Sequence, residues 1–140
     1  MKTSITRITF GVVAAALLAT ATANAARPEN VARTTWLMTT NRGVETLTID
    51  TQSGPGAPGA ATCRIIRGQF AGIADIKGYY CPEDGRIHFV HTNASTDVPV
   101  RVFNGYLSDD VPGQTYMAGS FSVHAVAFGD YGEYPFFATQ

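Results

Sequence analysis

The fold is decided by the longest alternating run in the chain, residues 115–126, which read TYMAGSFSVHAV. One face of this run would carry Met117, Gly119, Phe121, Val123 and Ala125. The other face would carry Tyr116, Ala118, Ser120, Ser122 and His124. Because successive side chains of a β-strand point to opposite faces, this period of two predicts a strand and not a helix.

The same period continues on both sides of this run. The remaining predicted strands are residues 34–40, 44–50, 62–70, 73–80, 86–92, 100–107 and 133–139. Short segments with turn chemistry separate them, among them Asn41-Arg42-Gly43, Ala71-Gly72 and Pro82-Glu83-Asp84-Gly85. Residues 53–59 are rich in Pro and Gly, which cannot continue a strand, so this stretch is predicted to be a loop.

Eight strands in simple succession predict an all-β fold, an eight-stranded antiparallel up-and-down (meander) β-barrel. Closure into a barrel is favoured because it removes the exposed edges that an open sheet of eight strands would leave. A barrel of this size encloses a plug of side chains or one small ligand. A β-sandwich remains the alternative architecture.

The N-terminal residues are typical of a signal peptide. Lys2 and Arg7 precede an uncharged apolar segment, residues 8–23, which ends on the small-x-small pattern Ala23-Asn24-Ala25. The apolar core is short for a bilayer span, which disfavours an uncleaved anchor. We therefore expect a signal peptide at 1–25 cleaved between Ala25 and Ala26, a loose N-terminal lead-in at 26–32 and a single β-barrel domain at 33–140, in a bacterial periplasmic or secreted protein.

Export also bears on the two cysteines and on the charge. In an oxidising compartment Cys63 and Cys81 are most simply one disulfide, since no His or CxxC accompanies them as a metal site would require. Without Lys2 and Arg7, eight Lys and Arg face eleven Asp and Glu, a formal charge of −3. This balance disfavours nucleic acid as a partner, and we expect no membrane insertion of the mature chain.

The layout resembles that of the avidin and lipocalin families, which are exported eight-stranded barrels. The resemblance is carried by the eight strands and by Trp36 on the first of them. It is a resemblance of architecture: Val44 stands where an avidin-like turn supplies Ser, and Thr34 stands where the lipocalin Gly-x-Trp needs Gly. It implies a closed barrel with room for one ligand.

A ligand pocket needs apolar bodies with a few polar tips to orient its occupant. Alternation places the candidates inward, although a single bulge would reverse that direction. The candidate ligand-binding residues are Trp36, Tyr80, His91, Asn104 and Tyr106.

Catalytic and metal chemistry receive less support from the sequence. His88 and His91 differ in parity on one predicted strand, so they would point to opposite faces and could not chelate one ion together. Ser120 and Ser122 lie near His124 but without an acid placed to orient it. We therefore predict no catalytic residues, no metal site and no cofactor.

Three functional hypotheses remain. The first is an exported barrel that binds a small apolar or amphipathic ligand in its lumen without catalytic activity. The second is a filled barrel that acts as a protein-interaction module or associates with its own copies as a homo-oligomer. The third, a small secreted enzyme, lacks a convergent acid and base in the sequence.

Overall fold

The computed structural model describes residues 27–54, 63–92, 99–111, 114–124 and 132–140. Eight strands run through these ranges. They are β1 (Thr34–Thr40), β2 (Gly43–Gln52), β3 (Arg64–Phe70), β4 (Ala74–Cys81), β5 (Arg86–Thr92), β6 (Pro99–Val111), β7 (Gln114–Val123) and β8 (Gly132–Thr139).

Each strand pairs antiparallel with its neighbour in sequence, and β8 pairs back onto β1, so the sheet closes into a barrel in the order β1 to β8. This confirms the predicted meander barrel and excludes the sandwich. The closing contact joins Thr40 to Phe136 and Leu37 to Thr139. Pro135 lies on the last strand, opposite Ser120.

Aromatic side chains fill the middle of the barrel. Phe103 of β6 lies at their centre, with ring centroids 4.5 Å from Phe89, 5.1 Å from Phe121 and 5.4 Å from Phe70. These four rings are fully buried, and Trp36 packs into the same core. The described part of the lumen is therefore a close-packed core, in which aromatic burial is a main stabilising contribution.

The two ends of the barrel differ in their connections. The turns β1–β2 and β3–β4 lie at one end, which we call the open end. The turn β4–β5 and the described chain termini lie at the other, which we call the closed end. Residues 93–98, between β5 and β6 in the sequence, and residues 125–131, between β7 and β8, lie outside the described residues.

An N-terminal strap, residues 27–33, crosses the closed end. Arg27 Nη1 donates to the Glu83 carbonyl at 2.7 Å, and the Tyr80 hydroxyl donates to the Pro28 carbonyl at 2.7 Å. Val31 is only 1% exposed, and its N–H donates to Gln52 Oε1 at 2.9 Å. The expectation of a loose lead-in at 26–32 is thus wrong for its described part, because partners distant in sequence hold it.

Cys63 and Cys81 form a disulfide at the closed end, as predicted. They extend the β3–β4 ladder by one step beyond the pair Arg64 and Tyr80. Such a bridge is typical of an oxidising compartment outside the cytoplasm. The predicted signal peptide lies outside the described residues and stays a prediction.

One strand is longer than predicted. We expected a strand at 100–107, but β6 continues to Val111, and Val111 pairs with Gln114 of β7. A register shift between Ser108 and Val111 accommodates the extension. The polar composition of this stretch indicated a turn, and cross-strand pairing overrides it. No helix within the described ranges is long and apolar enough to cross a membrane.

Candidate binding site at the open end of the barrel

The five predicted ligand-binding residues do not form one site. Trp36 is fully buried, and its Nε1 donates to Thr34 Oγ1 at 2.8 Å. Tyr80 is also fully buried, with its hydroxyl held by the strap at the Pro28 carbonyl. Both side chains belong to the core and the closed end, so the hydrogen-bonding group of each is already engaged.

Asn104 and Tyr106 point outward, so the inward direction expected for them is wrong. On β6 the buried side chains are Phe103 and Leu107, which share the opposite parity. Because the large apolar side chains of Phe103 and Leu107 point into the barrel, Asn104 and Tyr106, which have the other parity, point to solvent. Only His91 of the predicted five lines a cavity at the open end.

This cavity has a volume of about 250 Å³ and opens at the end of the barrel where the β1–β2 and β3–β4 turns lie. Its base is the buried ring of Phe70, and Ala74 and Val123 give it further apolar lining. Polar side chains converge on it from β2, β5 and β6. They are Glu45, His91 and Arg101, with Arg42 from the β1–β2 turn.

An ion pair spans the mouth of this cavity. Arg101 Nη1 lies 2.8 Å from Glu45 Oε2, and the two side chains are 16% and 28% exposed. The guanidinium of Arg101 also lies over the Phe70 ring, 5.4 Å from its centroid. Because β2 and β6 are not neighbours in the sheet, this pair crosses the open end and fixes Arg101 above the aromatic base.

His91 completes the polar wall. It lies opposite Arg101 in the β5–β6 ladder, and its ring centroid is 5.5 Å from that of Phe70. Burial lowers the pKa of His91, and the nearby Arg101 lowers it further against the opposing influence of Glu45. Its Nδ1 atom is buried and has no hydrogen-bond partner among the described residues. The wall thus holds an imidazole whose protonation is disfavoured and whose Nδ1 has no partner in the part of the chain that the structure describes.

The other histidines lie outside the barrel. Nδ1 of His88 is 2.7 Å from Asn104 Oδ1, and Nε2 of His124 is 3.0 Å from Ser122 Oγ. The opposite orientations of His88 and His91 agree with the prediction from parity. Across the described ranges, no group of three or more His, Cys, Asp or Glu side chains could hold a metal ion.

The predicted serine cluster is also on the outer face. Ser122 contacts His124, whereas Ser120 Oγ donates to Glu133 Oε1 at 2.5 Å. Glu133 is the ladder partner of Ser122, yet its carboxylate engages Ser120 and leaves His124 without an acid from this ladder. Within the described ranges, the arrangement therefore shows no acid that orients His124 as in a nucleophilic triad.

Sequence reasoning missed Phe70, Glu45 and Arg101 as site residues. One signal was present, since Arg101 shares its parity with the apolar Phe103 and Leu107. An arginine on the apolar face of a strand is expected near a barrel end, where its head group reaches solvent. The contact with Glu45 joins residues 56 positions apart and carries no local signature.

No protein-family model, no curated protein and no solved structure matches the chain. The architecture, a closed antiparallel barrel of eight sequential strands, is what the protein shares with the avidin and lipocalin folds.

Proposed function

We propose that this protein is an exported binding barrel, periplasmic or secreted, that holds a small amphipathic ligand at its open end. The observation that supports this most is the cavity above Phe70, where an aromatic base meets three converging polar groups. Small-molecule sites combine a largely apolar lining with a few placed polar groups in this way. Because the core is filled, we propose the site at the mouth of the barrel and not in the lumen, where we first expected it.

The side chains define the class of ligand. An apolar body would pack on Phe70 and Val123, while a polar end would meet Arg101 and His91. The guanidinium of Arg101 only donates hydrogen bonds, so an end group that accepts them, a carboxylate or a hydroxyl, is favoured over an ammonium, which only donates. At about 250 Å³, the cavity suits a ligand smaller than most drugs.

A ligand titration in which the amide NMR signals of the protein are monitored tests this proposal. The probes are short straight-chain carboxylates, from butanoate to octanoate, and the alcohols of the same length. We expect shifts concentrated at Glu45, Phe70, His91 and Arg101, with the carboxylate binding more tightly than the matched alcohol. Shifts that map to the closed end, or no shifts with any chain length, would contradict the proposal.

Two alanine variants provide the matched control. Ala74→Phe adds a ring to the cavity lining, and Ala118→Phe adds the same ring at an exposed position of β7. We expect Ala74→Phe to abolish binding of the carboxylates and Ala118→Phe to preserve it. Equal binding by both variants would show that the ligand does not bind in this cavity.

A second candidate function is self-association. Exposed apolar side chains lie along one row of the outer ladder, where Tyr106, Ala118, Phe137, Thr39 and Val44 are successive cross-strand partners. Tyr106, Phe137 and Val44 are 60%, 46% and 58% exposed. A twofold interface between copies would cover this row. Sedimentation of the wild type and of Phe137→Lys tests it, because a dimer made through this row would dissociate in the variant.

A further inference from the structure

A second concave surface lies on the outside of the barrel, apart from the open-end cavity. This groove has a volume of about 460 Å³ and runs across β4, β5, β6 and β7. One wall is a ladder row made of Tyr79, His88, Asn104 and Ser120. The other wall holds Arg86 and Tyr106, which are paired in the next row. Three strand spacings give the groove a length of about 14 Å.

The floor of the groove is backbone. Gly105 and Gly119 are cross-strand partners, and both line the groove between its two walls. A Cβ added to Gly119 would lie 2.0 Å from the Asn104 carbonyl oxygen and 2.5 Å from Gly105 Cα. Both glycines share the inward parity of Phe103 and Phe121, so a side chain here would point into the barrel. The floor between the two walls is therefore backbone, at a place where β6 and β7 approach closely.

The walls combine aromatic faces with planar polar groups. Tyr79 stacks on His88 with ring centroids 5.2 Å apart, and Tyr106 is a largely exposed ring on the opposite wall. His88 Nδ1 donates to Asn104 Oδ1, because that oxygen only accepts. The Asn104 side-chain nitrogen is a donor, and Nε2 of His88 is a second polar ring atom on the same wall. Planar hydrogen-bonding groups thus follow one another along this wall.

Arg86, the charged side chain in the groove lining, is paired, and a carboxylate lies beside the far end of the groove. Arg86 Nε forms an ion pair with Asp84 Oδ2, and Ser120 at the far end donates to the carboxylate of Glu133. A strongly anionic ligand would approach Glu133, and a purely apolar one would leave the polar wall without partners. The ligand that fits has apolar faces and a rim of neutral hydrogen-bonding groups.

From this combination we propose that the outer groove binds a neutral linear oligosaccharide. A pyranose ring has C–H faces that pack on exposed aromatic rings, and its edge hydroxyls both donate and accept hydrogen bonds. Tyr106 provides the exposed platform, and Asn104, His88 and Arg86 address the hydroxyls. This site is independent of the open-end cavity and takes a different class of ligand.

The test is an amide NMR titration of the full mature chain with neutral linear tetrasaccharides of glucose, of N-acetylglucosamine and of mannose. We expect at least one of them to shift the amides of His88, Asn104, Gly105 and Gly119 and to leave those of Glu45 and Arg101 unchanged. If none of the three shifts these amides at millimolar concentration, the proposal is overturned.

Substitutions of Tyr106 provide a second test of oligosaccharide binding. Tyr106→Ala removes the platform and should weaken binding about tenfold, whereas Tyr106→Phe keeps the ring and most of the affinity. Phe137→Ala is the matched control, since it removes an exposed aromatic ring that does not line the groove. Binding that survives Tyr106→Ala unchanged, or that is lost equally in Phe137→Ala, would overturn the assignment. The assignment would also be overturned if the amides of the groove residues shifted with protein concentration, because the groove would then be a dimer interface.

Discussion

The two ends of the barrel each hold an inward-facing arginine paired with a glutamate, yet they differ in what covers it. At the closed end Arg64 pairs with Glu29 of the strap, which also offers its carbonyl to the same guanidinium. At the open end Arg101 pairs with Glu45 across the mouth and faces a cavity. Among the described residues, the strap thus covers the arginine of the closed end, whereas the arginine of the open end lines the cavity that we propose as the ligand site.

The largest expected difference between the ends comes from the disulfide. The Cys63→Ser/Cys81→Ser double variant should lower the free energy of unfolding by about 3 kcal/mol, because the bridge closes a chain segment with a sequence separation of 18. Urea denaturation of the variant and the wild type measures the change. Probe binding at the open end should be unaffected at temperatures where the variant is folded. A loss of probe binding in the folded variant would show that the disulfide at the closed end affects the cavity at the open end.

The two ion pairs should respond differently to the loss of their carboxylates. Glu45→Gln should cost about 1 to 2 kcal/mol of unfolding free energy, because it leaves the partly buried Arg101 without its ionic partner. Glu29→Gln should cost about 0.5 kcal/mol or less, since the Glu29 side chain is mostly exposed and the pair is screened. Equal costs in urea denaturation would contradict the contrast between the ends.

Tyr80 should make the closed end sensitive to alkaline pH. Burial raises the pKa of Tyr80 to about 12. The folded state thus keeps a proton that the unfolded state releases near pH 10, so stability is complete below pH 10 and falls as the pH rises toward 12. Tyr80→Phe should lose about 1 kcal/mol at neutral pH, from the missing bond to Pro28, and should show a smaller alkaline fall. Urea midpoints across this pH range measure both effects.

His91 should make the unfolding free energy fall in acid, by less than Tyr80 lowers it in alkali. Its pKa is lowered in the folded state by burial and by Arg101, so the unfolded state binds a proton first as the pH falls. The stability that this group contributes is complete above its ordinary pKa near 6.5 and is lost below it. His91→Gln should flatten the change in unfolding free energy between pH 7 and 5. The control His124→Gln, at an exposed position, should leave that change in place.

The alternation of side chains was enough to predict the barrel. All eight strands lie where the period of two places them, and the turns at Asn41-Arg42 and Ala71-Gly72 follow from local chemistry. The tail of β6 was missed because its acidic residues are typical of turns. Its strand conformation depends on pairing with β7, which no local pattern records.

The candidate site was harder to predict than the fold. Period two separates the faces of a strand but does not say which face is inside, and on β6 this reversed Asn104 and Tyr106. The pairing of Glu45 with Arg101 and the attachment of Val31 to Gln52 join residues that are distant in sequence. Such contacts depend on how the strands and the strap are arranged in three dimensions, so they could not be predicted from local sequence patterns.

Native mass spectrometry of the protein purified from its exported fraction, with wild type and Ala74→Phe measured side by side, tests whether the open end holds a ligand. We expect an added mass in the native spectrum of the wild type that disappears on denaturation and is missing from Ala74→Phe. A wild-type spectrum with no added mass, or an equal added mass on both proteins, would contradict a ligand site at the open end.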